Sequence, residues 1–120
     1  MKTVLIADDD INMVQILSHI LSELHLNIVT ENNGKAALET AIEIRPDLLI
    51  LDFIMPIMDG LSVLKELYSA EIGFKSPSIL LTAHDPLQYQ HQAEAMGNVR
   101  FVEKPFEIAP LLSLVSELLK

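Results

Sequence analysis

Three consecutive acids, Asp8, Asp9 and Asp10, follow the apolar run Val4-Leu5-Ile6-Ala7, and a fourth, Asp52, follows Leu48-Leu49-Ile50-Leu51. Two further apolar runs end in groups of complementary chemistry. Ile79-Leu80-Leu81 is followed by Thr82, and Phe101-Val102-Glu103 by Lys104. Asp8, Asp9 and Asp52 brought within a few ångströms would repel one another strongly. Protonation, Lys104 or a divalent cation would relieve that repulsion. Carboxylates with water suit a hard cation such as Mg²⁺, and a cation beside a carboxylate draws in phosphate. A hydroxyl and an ammonium could hold phosphoryl oxygens. These residue types together therefore point to phosphoryl transfer onto a carboxylate, giving an acyl phosphate.

Taken singly, each residue has a plainer reading. Strand-to-loop junctions tend to be polar, so Thr82 alone reads as a turn or cap residue and Lys104 alone as a solvated charge. Asp10 reads as the N-cap of the first helix rather than a site residue. Met55 and Met58 read as packing. His19, His25, His84 and His91 have no metal-ligand spacing. Only the combination points to a shared chemistry.

The combination requires that these run ends share one edge of a sheet. Five apolar runs have strand length: Thr3 to Ala7, Asn27 to Thr30, Leu48 to Leu51, Ser78 to Leu81 and Arg100 to Val102. Most are too continuously hydrophobic for a half-exposed strand and predict a parallel sheet covered on both faces. Helical stripes lie between and after them. They are Met13, Ile16, Leu17, Ile20, Leu21 and Leu24; then Ala37, Leu38, Ala41 and Ile42; then Leu61, Leu64, Leu67 and Tyr68; and last Ile108, Leu111, Leu112, Val115 and Leu119. The fourth helix, from about Pro86 to Met96, has a weak stripe, with Asp85 as cap and Pro86 at the first helical position. Strand–helix alternation predicts a doubly wound α/β domain, whose ligands bind beyond the carboxyl ends of the strands. Only the second run, ending near Glu31, lacks a chemical partner, and it belongs at an outer edge.

Composition narrows the function. A chain of 120 residues fits one domain. A formal net charge of −9 argues against direct nucleic acid binding, which needs a basic face. With no cysteine there is neither a disulfide framework nor thiolate chemistry. The first apolar run is too short for a signal-peptide core or a membrane span.

The motifs resemble those of response-regulator receiver domains of two-component signalling and phosphorelays. They are Val4-Leu5-Ile6-Ala7-Asp8-Asp9-Asp10, then Asp52-Phe53-Ile54-Met55-Pro56-Ile57-Met58-Asp59-Gly60, Leu81-Thr82-Ala83 and Phe101-Val102-Glu103-Lys104-Pro105-Phe106. The resemblance implies one receiver domain over 1–120, with a flavodoxin-like, three-layer fold of five parallel strands in the order 2-1-3-4-5 and five helices. It implies that Asp52 is the phosphoacceptor, and that Mg²⁺ is held by Asp9 and Asp52 directly, Asp8 through water, and the Ile54 backbone carbonyl. Thr82 matches the switch hydroxyl, and Lys104 the base on a phosphoryl oxygen, with a cis bond to Pro105 in similar members. Phe101 matches the aromatic switch residue, although a plain core aromatic fits it equally. Ala83 matches the small residue that lets backbone approach the phosphoryl group.

The implied partners are a sensor histidine kinase or histidine phosphotransfer protein, and an output domain or partner protein reading the face of helix 4, strand 5 and helix 5. Homodimerisation on phosphorylation and a cytoplasmic location are compatible with this. The expected role is a switch rather than a conventional turnover enzyme. The segment Met96-Gly97-Asn98-Val99-Arg100 departs from the Gly-Ala pair common before the fifth strand. Two other readings compete. Asp8 and Asp10 have the spacing of a haloacid-dehalogenase-like phosphatase, but Asn12 stands where Thr or Val is expected and no acidic pair follows Lys104. A receiver-like module that works without phosphate is countered by the intact acids, Thr82 and Lys104.

Overall fold

Alternate residues of each central strand point to opposite faces, and in this chain both sets are apolar. The computed structural model describes residues 1–83 and 87–120, with the side chains of Gln88 and Glu94 left aside. Five strands, β1 (Thr3–Ala7), β2 (Asn27–Glu31), β3 (Leu48–Asp52), β4 (Ser78–Thr82) and β5 (Val99–Glu103), form one parallel sheet in the order β2-β1-β3-β4-β5. Helices α1 (Ile11–Leu21), α2 (Gly34–Ile44), α3 (Gly60–Leu67), α4 (Leu87–Met96) and α5 (Ile108–Leu118) make the crossovers and close the chain. This is the doubly wound arrangement that the alternating pattern predicts, in the flavodoxin-like strand order that the resemblance implied.

Leu5, Ala7, Leu49, Leu51 and Leu80 pack on one side with Ala37 and Ala41 of α2, Leu61, Leu64 and Leu67 of α3, and Ala93 of α4. Val4, Ile6, Leu48, Ile50, Ile79 and Leu81 pack on the other with Leu17 and Leu21 of α1 and Leu111 and Val115 of α5. Each buried Leu or Ile contributes roughly 1.5–3 kcal/mol by leaving water. The two layers hold β1, β3 and β4 at a fixed height, which fixes the residues at their carboxyl ends.

Both-face burial holds for β1, β3 and β4, most of the five runs as expected, and β2 and β5 are edge strands with solvent-facing positions such as Asn27, Thr30, Arg100 and Glu103. Two expectations need correction. Ile16, Ile42 and Ile108, assigned to buried stripes, are exposed at 51%, 39% and 56%. Partly buried Val14 joins Leu17 and Leu21 in the packed stripe of α1, leaving Ile16 to line an open groove with His19, Ile20 and Ile108. Strands β2 to β5 also extend one residue beyond their apolar runs at one or both ends. The proposed cap and first turn at Asp85 and Pro86 lie outside the described residues, as does His84.

Candidate functional site

Register brings the run ends together. Ala7 pairs with Leu51, Asp52 with Leu81, and Thr82 with Glu103. Asp8, Asp52, Thr82 and Lys104 thus emerge at one edge. Asp8, Asp9 and Asp52 each offer a carboxylate oxygen within 4.8 Å of the others. Lys104 Nζ donates to Asp52 Oδ1 at 3.0 Å and to Asp8 Oδ2 at 3.5 Å.

Backbone bonds lock the supports. The Lys104 N–H donates to the Thr82 carbonyl at 2.7 Å and the Phe53 N–H to that of Leu81 at 2.8 Å, tying the β5 and β3 ends to β4. The Asp8 N–H donates to the Glu31 carbonyl, and the Asp10 N–H to Asp8 Oδ1 at 2.9 Å, which aims the Asp8 carboxylate. Asp10 itself caps α1, its Oδ1 accepting from the Asn12 N–H.

The three acids differ in setting. Asp9 is exposed, Asp52 partly buried and Asp8 1% exposed. Burial raises the Asp8 pKa above that of an ordinary aspartate; the Asp10 N–H opposes this, and the Asp52 charge adds to it. Burial lowers the pKa of Lys104, but its hydrogen bond to Asp52 and the charges of Asp52 and Asp8 outweigh this and raise it. An acid cluster balanced by one ammonium still carries surplus negative charge. That surplus and the all-oxygen donor set fit a hard divalent cation.

The remaining assignments can be placed. Thr82 is buried at the end of β4, and Ala83 beside it is exposed. The Lys104–Pro105 peptide is cis. Phe101 is partly buried against the core layer that holds Leu80, a position compatible with both of its readings. Ile54 follows Asp52 in the β3–α3 loop with its side chain 65% exposed. Met55 is buried and Met58 packs on the core, as packing residues. Among the described residues, Asp8, Asp9 and Asp52 form the one metal-competent group of His, Cys, Asp and Glu. At the departure before β5, Gly97 lies against the Tyr68 ring, where a Cβ would sit 3.4 Å from Cε1.

The supports of the β3–α3 loop come from residues to which the motifs assign no role. Asp59 caps α3 through the Ser62 N–H, and Asn33 caps α2 through that of Ala36. Both precede glycine at the start of a helical stripe, which is a readable cap signal. The Phe53–Tyr89 ring pair, with centroids 4.8 Å apart, ties the same loop to α4 and has no local signal.

A family model described as the response regulator receiver domain matches residues 4–116. The chain belongs to this family. As a receiver domain it is 35% identical over 118 residues to the probable transcriptional regulatory protein TcrX of Mycobacterium tuberculosis, covering 98% of this chain and 50% of that protein. The Francisella response regulator 1452 receiver domain superposes with a TM-score of 0.87 at 30% identity, covering 99% of this chain and 97% of that one. The receiver domain of a Pseudomonas aeruginosa PAO1 sensor histidine kinase, with a magnesium ion coordinated in its active-site cleft, superposes with a TM-score of 0.84 at 26% identity, covering 98% and 97%. The chain spans a quarter to a half of the length of the curated relatives it matches. Its function is that of a phosphoacceptor domain in two-component signalling, and neither the phosphatase nor the phosphate-independent reading is favoured. Among the described residues no helix is long and apolar enough to cross a membrane.

Proposed function

We propose that Asp52 is the phosphoacceptor, and that Asp8, Asp9, Asp52 and the Ile54 carbonyl hold Mg²⁺ beside it. The observation that carries this is the convergence of the three carboxylates within 4.8 Å, with Lys104 shared between two of them. An Asp52 carboxylate oxygen attacks the phosphorus of a phosphohistidine. The new P–O bond forms as the P–N bond breaks, and the imidazole leaves with the bond's electron pair and takes up a proton. Bound Mg²⁺ would supply charge neutralisation for the transferring phosphoryl group. Lys104 Nζ, already on Asp52, donates to a phosphoryl oxygen, and the Thr82 hydroxyl donates to another.

These new contacts exist only in the phosphorylated state, so they can shift a two-state equilibrium. Thr82 moves toward the phosphoryl group, Phe101 turns inward, and the face of α4, β5 and α5 changes for an output domain or partner protein. The donor is a sensor histidine kinase or histidine phosphotransfer protein. Residues 1–120 act as one receiver domain in the cytoplasm, as a switch rather than a turnover enzyme, with homodimerisation as a compatible consequence of phosphorylation.

The test offers a small-molecule phosphodonor with Mg²⁺ to the unaltered chain and to Asp52→Asn, and reads intact mass. The unaltered chain gains a phosphoryl group, chelation prevents this, and the variant gains none. Undiminished labelling of Asp52→Asn would rule out the assigned acceptor.

A further inference from the structure

We infer that Gly34, at the start of α2, is a positioning residue for the metal-binding loop after β3. The inference rests on the proposed Mg²⁺ site and assigns a residue that sets its geometry from another element.

The loop from Phe53 to Asp59 carries Ile54, whose carbonyl is the proposed backbone ligand. The exposed Ile54 side chain gives the loop no anchor in the core, so its peptide is set by its neighbours. On one side, the Phe53 N–H is bound to the Leu81 carbonyl and the Phe53 carbonyl accepts from the Gly60 N–H at 2.8 Å. On the other, Met55 is buried and Pro56–Ile57–Met58 form a tight turn. The Met58 N–H donates to the Pro56 carbonyl at 2.8 Å across Ile57, whose φ is +73°. That closure is a γ-turn, a strained conformation that persists only where its surroundings hold it.

Gly34 is what the turn rests on. Its N–H, one of the donors left unsatisfied at a helix start, points to the Pro56 carbonyl at 3.4 Å. Its Cα lies so close to the loop that a Cβ would fall inside the Met58 carbonyl oxygen, 2.6 Å from the Met58 carbonyl carbon and 2.9 Å from its Cβ. The obstruction is chiefly backbone, so no side-chain rotation can relieve it. At a first helical position alanine would ordinarily be better than glycine. Glycine here is explained by the contact with the loop and not by the helix. Any side chain at 34 pushes the turn outward, and the Ile54 carbonyl two residues before Pro56 moves with it. A group that orients a metal ligand typically changes affinity by about 10–100-fold when lost.

The experiment titrates Mg²⁺ into the metal-free chain, following amide chemical shifts or heat, for the unaltered protein, Gly34→Ala and Asn33→Ala. Asn33→Ala removes the cap of the same helix without filling the contact. Gly34→Ala is expected to weaken Mg²⁺ binding by roughly 10–100-fold while its strand amides keep their native shifts, and Asn33→Ala to leave affinity unchanged. If Gly34→Ala does not fold, the Gly34 amide of the unaltered chain decides the matter: bound to the Pro56 carbonyl of the metal loop, it is expected to shift and to exchange more slowly on Mg²⁺ binding. Unchanged affinity in folded Gly34→Ala, or a Gly34 amide indifferent to Mg²⁺ in its place, overturns the inference, as does equal weakening in Asn33→Ala. No binding by the unaltered chain overturns the metal site itself and the inference with it.

Discussion

Lys104 Nζ lies 3.0 Å from Asp52 Oδ1 and reaches Asp8 Oδ2 at 3.5 Å, so one ammonium serves two carboxylates. With Lys104 22% and Asp52 14% exposed, the pair stands between a surface bridge and a buried one. Lys104→Met should destabilise the metal-free chain by about 1–3 kcal/mol, below the cost of breaking a fully buried pair. The raised Lys104 pKa places this contribution in full below the ordinary lysine value of 10.5, and loses it as pH rises through the folded pKa. The remaining acids then repel one another more, so Mg²⁺ should stabilise the variant by a larger increment than it does the unaltered chain. Urea unfolding at neutral pH, with and without Mg²⁺, measures both effects; a smaller Mg²⁺ increment in the variant would count against shared neutralisation.

Asp8 gives the opposite pH dependence to that of a carboxylate held ionised by a partner. Its folded pKa is raised, chiefly by burial, so the folded state takes up its proton more readily than the unfolded chain. Its contribution to stability is therefore present in acid, below 3.8, and is lost as pH rises through the folded pKa. At neutral pH the ionised, buried Asp8 costs the metal-free fold stability. Asp8→Asn should raise the metal-free unfolding midpoint at pH 7, with the gain shrinking toward acid, and should weaken Mg²⁺ binding. A midpoint lowered at pH 7 would contradict the desolvation argument.

The chemistry was more legible in the sequence than its supports. Asp8, Asp52, Thr82 and Lys104 each end an apolar run, and parallel pairing then has one way to gather them. The edge position of β2 was legible because its run ends without a chemical partner, whereas that of β5 came only with the strand order that the resemblance implied, since a short apolar run looks the same at an edge as in the centre. Ile16 and Ile108 were misplaced because α1 and α5 are apolar over more than one stripe, and only packing selects the buried one. Gly34 and Tyr89 act across the fold on the β3–α3 loop, and no local spacing encodes such contacts.

Thr82 and Phe101 lie two strand residues apart across the β4–β5 pair, since Leu80 registers with Phe101 and Thr82 with Glu103. If Thr82 transmits phosphorylation, Thr82→Ala should still accept phosphate at Asp52 while the Phe101 ring signals move less than in the unaltered chain. Side-chain NMR before and after phosphorylation measures this. Equal ring shifts in both proteins would remove Thr82 from the switch and leave Phe101 a core aromatic.

Ile57 combines φ +73° with a β-branched side chain that is 77% exposed. A residue of this type meets steric resistance in that region, of order 1–3 kcal/mol, whereas asparagine tolerates it better. So little of the side chain is buried that replacing it forfeits little hydrophobic stabilisation. Ile57→Asn should therefore stabilise the fold, by about 1 kcal/mol. Ile57→Gly relieves the same strain but gives the unfolded chain more freedom, which offsets roughly 0.4–1 kcal/mol of the gain. The order Asn above Gly, and Gly at or above Ile, in denaturant unfolding would show that strain at the turn is relieved. Mg²⁺ affinity should stay unchanged in both, because Gly34 still supports the loop from α2. A loss of stability in Ile57→Asn would mean that the turn is not strained as its φ indicates, and that the exposed isoleucine is held by contacts stronger than its burial suggests.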